Sequence, residues 1–222
     1  MGKKLTILGD SIMKGVMYDA DRGRYTLYGD KAFLEEAAGR GLDIKKVCRM
    51  GATASWGAEH LSEADGSSAV LLEFGGNDCN YDWPNVAETP DSDHDPILPP
   101  AEFRRAYAAL ITRVREMGAE PICMNLPPID AERFFRFISL TADGGRVLHW
   151  LGDRSLLYRW HEYYNRIIET TAAACGARLI DIRSSILQNR RYPDLIGGDG
   201  LHPSRKGHAL IRSGLLDALS AQ

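Results

Sequence analysis

Leu5-Thr6-Ile7-Leu8-Gly9-Asp10-Ser11-Ile12 is the stretch that decides how this chain is read. The first four residues form a short, largely apolar run that predicts a buried strand. Gly9-Asp10-Ser11 breaks that run. Ile12, Met13, Val16 and Met17 follow at helical spacing, which predicts an amphipathic helix starting at the break. Ser11 therefore stands where the carboxyl end of a strand meets the first turn of a helix. In open α/β sheets that rim is where ligands bind. Free N–H groups and the positive end of the helix dipole favour an anion there. A serine so placed can attack a carbonyl and hold the resulting oxyanion with its own N–H. Serine is also a preferred helix N-cap, so its partners must decide its role.

Asp199-Gly200-Leu201-His202-Pro203 supplies candidate partners at the other end of the chain. A serine hydroxyl is a weak nucleophile until a base takes its proton. An imidazole serves as that base when a carboxylate on its other nitrogen fixes the tautomer and stabilises the imidazolium. An Asp-x-x-His turn offers both groups from one loop, although the same residues also serve as turn and helix caps. Two further positions follow predicted strands. Asn77 lies in Phe74-Gly75-Gly76-Asn77-Asp78, after Ala69-Val70-Leu71-Leu72, and Gly51 follows Val47-Cys48-Arg49-Met50. If the strands are parallel, both face the rim that holds Ser11. An Asn amide and a Gly N–H are suitable oxyanion donors; as isolated features they are ordinary turn residues.

Ser11, Gly51, Asn77 and His202, in that order, resemble the four signature positions of the SGNH (GDSL-type) hydrolase superfamily. Gly9-Asp10-Ser11-Ile12 is similar to its first block, with Ile12 where Leu is usual, and Gly75-Gly76-Asn77-Asp78 to its third. The resemblance runs from residue 4 to the last helix. It implies an α/β three-layer sandwich with a five-stranded, flavodoxin-like parallel sheet. It also implies Ser11 as nucleophile, His202 as base and Asp199 as its orienting carboxylate. The Ser11 N–H, the Gly51 N–H and the Asn77 amide would form the oxyanion hole. No Gly-x-Ser-x-Gly elbow occurs, which argues against the α/β-hydrolase fold despite the shared order Ser, Asp, His.

The rest of the chain fits this frame. Strands are predicted over residues 4–8, 43–49, 69–74, 119–125 and 177–182. Helices are predicted near 29–39, 55–65, 101–117, 155–174 and 203–220. Alternating elements imply a parallel sheet covered on both faces, and the 222 residues read as one domain. A hydrophobic content of 44% and a charged content of 26% are ordinary for a soluble protein. The net charge of −3 gives no sign of nucleic-acid binding. No apolar run approaches the roughly 18 residues of a transmembrane helix, and the start of the chain lacks the apolar region of a signal peptide. Cys48, Cys79, Cys123 and Cys175 show no metal or disulfide spacing, so a reduced, cytoplasmic setting is expected. No cofactor or metal is expected; the expected partner is a small acyl ester, and homo-oligomer formation is left open.

Two segments exceed what such a scaffold needs. Residues 79–100 carry Pro84, Pro90, Pro96, Pro99 and Pro100 and leave the Asn77 strand at the active rim, so they are expected to shape the substrate pocket. Asp91, Asp93 and Asp95 have EF-hand spacing, but Pro96 stands where that loop needs Gly, which favours a solvated acidic loop. Residues 127–160 carry Phe134, Phe135, Phe137, Trp150, Tyr158 and Trp160 and could line a pocket, form a dimer surface or simply pack. Asp10, Trp56, Asp78 and Cys79 are candidate pocket residues, and Trp56 is the aromatic expected to border it. Glu73 is a carboxylate in a strand that should be buried, with no partner evident in the sequence. The favoured function is a serine esterase acting through an acyl-enzyme on a short-chain ester of a soluble alcohol, carbohydrate alcohols among the candidates. The alternatives are a lipase, lysophospholipase or acyltransferase of the same fold. From a different class comes a non-catalytic flavodoxin-like module, although neither Gly-x-Gly-x-x-Gly nor a Walker loop is present.

Overall fold

The structure, a computed structural model, describes residues 2–220. The chain begins with β1 (Lys3–Gly9), α1 (Ser11–Lys14), a hairpin of β2 (Val16–Asp19) and β3 (Arg24–Leu27), α2 (Lys31–Gly39) and β4 (Leu42–Cys48). It continues through α3 (Ala54–Glu59), β5 (Ala69–Glu73), α4 (Trp83–Glu88), α5 (Pro100–Glu116) and β6 (Glu120–Met124). Next come α6 (Ala131–Ile138), α7 (Gly144–Leu151), α8 (Ser155–Ala174) and β7 (Arg178–Ile180). Short α9 (Arg183–Leu187) and α10 (Tyr192–Leu195) lead to α11 (Arg205–Ser220). The central sheet runs β4-β1-β5-β6-β7, all parallel. This is the flavodoxin-like order, with the chain reversing direction across the sheet at β1.

Alternation along the strands divides the core between the two faces. Leu5, Ile7, Leu71, Ile122 and Met124 point to one side, where Phe33 and Ala37 of α2 and Ile211, Leu215 and Leu216 of α11 cover them. Leu8, Val70, Leu72 and Cys123 point to the other, against Tyr107, Leu110 and Ile111 of α5 and Ile167 and Ile168 of α8. Because both faces are buried, these strands read as continuous apolar runs in the sequence. All five strands stand within about two residues of their predicted limits, although the edge strand β4 exposes Asp43 and Lys45 between its apolar residues.

The expected helix through Val16 and Met17 is absent. Gly15 adopts φ 87° as a left-handed cap and ends α1 after one turn. The chain then enters the β2–β3 hairpin, whose alternating Val16, Tyr18 and Tyr25, Leu27 suit a strand better than a helix. The long segments are also more regular than expected. Residues 79–100 contain α4, whose N-cap Asp82 accepts from Asn85 N–H. Residues 127–160 contain α6 and α7, capped by Asp130 and Asp143. The helices of these two segments pack together through Trp83, Val86, Phe134, Phe135, Val147 and Leu151.

The loop carrying Asp199 and His202 is held from both sides. Gly197 N–H donates to His202 O (2.7 Å), and Asp130 N–H donates to Gly200 O (2.9 Å). Gly200 has φ 76°, and a Cβ there would lie 2.3 Å from Phe134 N and 2.5 Å from Asp130 O. Gly118 has a similar φ of 79° but open space around it. Gly118→Ala should therefore cost only backbone strain, about 1–3 kcal/mol. Gly200→Ala should cost clearly more in urea unfolding and should displace the loop. Equal losses for the two variants would show that the loop does not depend on this close approach.

Candidate active site

The carboxyl ends of β1, β4 and β5 meet at one rim. Register pairs Gly9 with Cys48 on one side and with Glu73 on the other. Asp10 leaves β1 there and caps α1 by accepting from Ile12 N–H (2.7 Å), which sets Ser11 at the first helical position. An N–H in that position has no intrahelical acceptor. The loop before α11 brings His202 to Ser11 from the far end of the chain. The Ser11 hydroxyl donates to His202 Nε2 over 2.9 Å, and His202 Nδ1–H donates to Asp199 Oδ2 over 2.6 Å. Asp199 Oδ1 is held by the N–H groups of Leu201 and His202, each at 3.1 Å. All three side chains are buried. With a carboxylate at Nδ1, the neutral ring keeps its proton there and offers the Nε2 lone pair to the serine. Tyr25 of the hairpin packs edge-on against the His202 ring, 5.3 Å between centroids.

Asn77 also reaches the cleft. Its Nδ2 donates to Asp10 Oδ2 (2.9 Å) and to Ala52 O (3.0 Å). A primary amide has two N–H bonds, so both hydrogens already have protein acceptors. Donation to an oxyanion requires sharing one of them, and the neutral Ala52 carbonyl is the weaker competitor beside a carboxylate. Gly51 takes φ 79° in the turn closed by Ala52 N–H donating to Arg49 O (3.1 Å). It lies beside Asn77 but is not one of the residues lining the cleft.

The cleft is lined by Asp10, Ser11, Asn77, Asn80, His161 and His202 among others. Trp56 is elsewhere: it stacks on His60, 4.1 Å between centroids, and packs against the core beneath α3. One helical turn aims its ring away from the rim. Asp78 is buried and accepts from Ala54 N–H (2.9 Å), bracing α3 without reaching the cleft. Cys79 lines a neighbouring chamber rather than the cleft. Burial pushes its thiol pKa up, with Asp78 nearby, so little nucleophilic thiolate forms.

Glu73 finds its partner in Asp10. Its Oε2 accepts from Asp10 N–H (3.1 Å), while Oε1 is buried without a partner. Burial raises both carboxyls, Asp10 to about 6 and Glu73 well above the usual range. Asp10 accepts from Ile12 and Asn77 and faces His202, so the negative charge belongs there and the proton on Glu73.

His161, Leu126, Asn80 and Tyr25 were not singled out from the sequence. Asn125, just past β6, offered a signal as an amide at a strand end. Its Oδ1 accepts from Ile182 and Arg183 N–H and fixes the loop that carries Leu126. Buried Arg183 donates to Leu126 O (3.1 Å) from the same side. His161 is buried, and its Nδ1 has no hydrogen-bond partner.

With this geometry the chain is a member of the GDSL-like lipase/acylhydrolase family, whose model matches residues 7–210. It is a hydrolase of that family. No curated protein matches it by sequence. Among solved structures it is similar to a lipase/acylhydrolase from Enterococcus faecalis, at 17% identity and a TM-score of 0.67 over 99% of this chain and 96% of that one. It is also similar to an acetylxylan esterase from Geobacillus stearothermophilus, at 18% identity and a TM-score of 0.65 over 98% and 94%. A psychrotrophic esterase from Pseudoalteromonas, inhibited by monoethylphosphonate, shares 16% identity with a TM-score of 0.61 over 98% and 96%. At these identities the likeness establishes the fold. No helix among the described residues is long and apolar enough to cross a membrane.

A group whose folded pKa is raised keeps its proton in the native state while the unfolded chain releases it. Stability then falls as pH climbs past the unfolded value. Glu73→Gln preserves the shape and stays neutral. Its melting temperature should match the parent near pH 4 and exceed it at pH 8. A variant less stable than the parent at pH 8 would mean that Glu73 works as a carboxylate.

Proposed function

We propose that this hydrolase is a serine esterase acting through an acyl-enzyme on short-chain esters of soluble, hydroxyl-bearing alcohols, carbohydrates included. The observation that carries the reading is the unbroken hydrogen-bonded line from Ser11 through His202 to Asp199. In the proposed reaction Ser11 Oγ attacks the ester carbonyl as His202 Nε2 takes its proton. The Ser11 and Gly51 N–H groups and the Asn77 amide hold the oxyanion. His202 then protonates the departing alkoxide, and Asp199 stabilises the transient imidazolium. Water, deprotonated by the same ring, releases the acid and restores the serine.

Support for the alcohol comes from an open groove of about 740 Å³ that shares Ile129 with the Ser11 cleft. Asp130, Glu132, Asp153 and Arg159 line it beside Tyr158 and Tyr192. Charged and aromatic groups of this kind suit a polyhydroxyl better than an alkyl chain.

Ser11→Ala and His202→Ala should each abolish hydrolysis of nitrophenyl acetate to a similar extent, because the residues act as one unit. Asp199→Asn should lose roughly 10⁴ in kcat through the wrong imidazole tautomer. Substantial turnover by folded Ser11→Ala would remove Ser11 from the nucleophile's role. Acetylated sugars tested in parallel should be hydrolysed faster than phospholipids; the reverse order would contradict the proposed alcohol.

Asn77→Ala should lower kcat by about 10²–10³ with little change in KM, since the amide acts on the oxyanion and not on the ground state. An effect confined to KM would make Asn77 a substrate-binding residue instead.

A further inference from the structure

Beside the Ser11 cleft lies a second, more apolar cavity. The two share Gly76, Asn80, Ile129, His161 and Leu201 as lining residues, so they adjoin along this seam. Beyond that seam the walls are Tyr81, Trp83, Phe134, Leu151, Leu157 and Trp160. They come from both inserted segments, and packing of α4 against α6 and α7 closes the chamber. The walls are rigid: Trp83 Nε1–H donates to Asn80 Oδ1 (2.9 Å), and Trp160 Nε1–H donates to Cys79 O (3.1 Å). Both indole N–H groups are thus satisfied within the wall, and the surface that faces the space is mostly apolar.

We propose that this chamber is the acyl subsite and that it admits an unbranched aliphatic acyl group of up to four carbons. The inference rests on Ser11 being the nucleophile and names the part of the substrate that the site measures. A narrow, partly enclosed apolar space suits the end of a substrate that terminates in carbon, whereas a hydroxyl-rich alcohol suits the wider and more open groove. The chamber's cavity volume of about 30 Å³ sets the length. It holds two or three water-sized groups. With the carbonyl carbon in the Ser11 cleft, that corresponds to the two or three carbons following it. His161 stands at the seam without a hydrogen-bond partner on Nδ1, and burial beside Arg183 lowers its pKa to about 3. The entrance is therefore uncharged, and an alkyl chain passes it without stripping water from an ion.

Burying each further methylene should raise kcat/KM roughly fourfold until the chamber is full. For the enzyme as it exists, nitrophenyl butyrate should exceed nitrophenyl acetate by roughly fifteenfold, and octanoate should fall below butyrate. Leu151→Ala deepens the chamber without touching Ser11, Asn77 or His202. It should move the optimum to hexanoate or octanoate and raise the ratio of octanoate to acetate kcat/KM above the parent's. Leu156, at the chamber wall and only partly buried, gives a second and gentler variant. Leu156→Phe should depress butyrate relative to acetate. A folded pair of variants with the parent's acyl-length profile would overturn the proposal, as would a parent optimum at octanoate or a response only to the size of the alcohol. Failure of the nucleophile assignment is a separate result: every ester would then be hydrolysed equally well by Ser11→Ala.

Discussion

A buried carboxylate holds the rim of this sheet together. Asp10 is 1% exposed, in a place where an ion without partners would be prohibitively costly. Its two oxygens are therefore committed, one to the first turn of α1 and the other to Asn77. Its backbone N–H is committed too, to Glu73 on the neighbouring strand. Three elements are thereby fixed to one residue. The helix turn orients Ser11, the loop after β5 orients Asn77, and the 49–52 turn is drawn in because Asn77 also donates to Ala52 O. A protonated Glu73 behind Asp10 lets the central strands carry this polar knot without a second charge. Asp10 thus fixes where Ser11 and Asn77 stand.

The inserted segments add a second cavity beside that rim. The scaffold brings Ser11 and His202 together through β1 and the loop before α11, elements that every strand of the core supports. The walls of the adjoining cavity come from α4, α6, α7 and the start of α8, which pack through aromatic and leucine side chains into their own small cluster. Several contacts join the two layers; Arg133 of α6 donates to Pro193 O and Ile196 O, and Asp130, the cap of α6, donates its N–H to Gly200 in the loop that carries Asp199 and His202. A change in the inserted helices is thus felt at the base.

The features legible in the sequence are those fixed by local chemistry. Strands buried on both faces appear as apolar runs, and Asp199 with His202 appear together because one turn supplies both. The sandwich and the strand order implied by the resemblance are the ones observed. What stayed hidden depends on contacts between distant positions. Glu73 had no visible partner because the register that sets it against Gly9 exists only once β1 and β5 pair. Trp56 lay close to Gly51 in sequence, yet one helical turn aims it at His60 instead of the cleft. Val16 and Met17 fit a helical period, but Gly15 ended the helix and released them into a hairpin whose Tyr25 covers the His202 ring. The two long segments expected at the pocket do line the second cavity, Cys79 included, but which of their side chains face it could not be read, because its walls come from separate stretches that meet only in the fold.

The central claim is that His202, oriented by Asp199, makes Ser11 the reactive group of the chain. Reaction with a fluorophosphonate followed by peptide mapping tests it most directly, because the reagent labels an activated serine whatever the natural ester. The adduct should map to Ser11 alone, and His202→Ala should slow its formation by orders of magnitude while the protein stays folded. An adduct on another residue, or labelling of Ser11 at an unchanged rate without His202, would contradict the account.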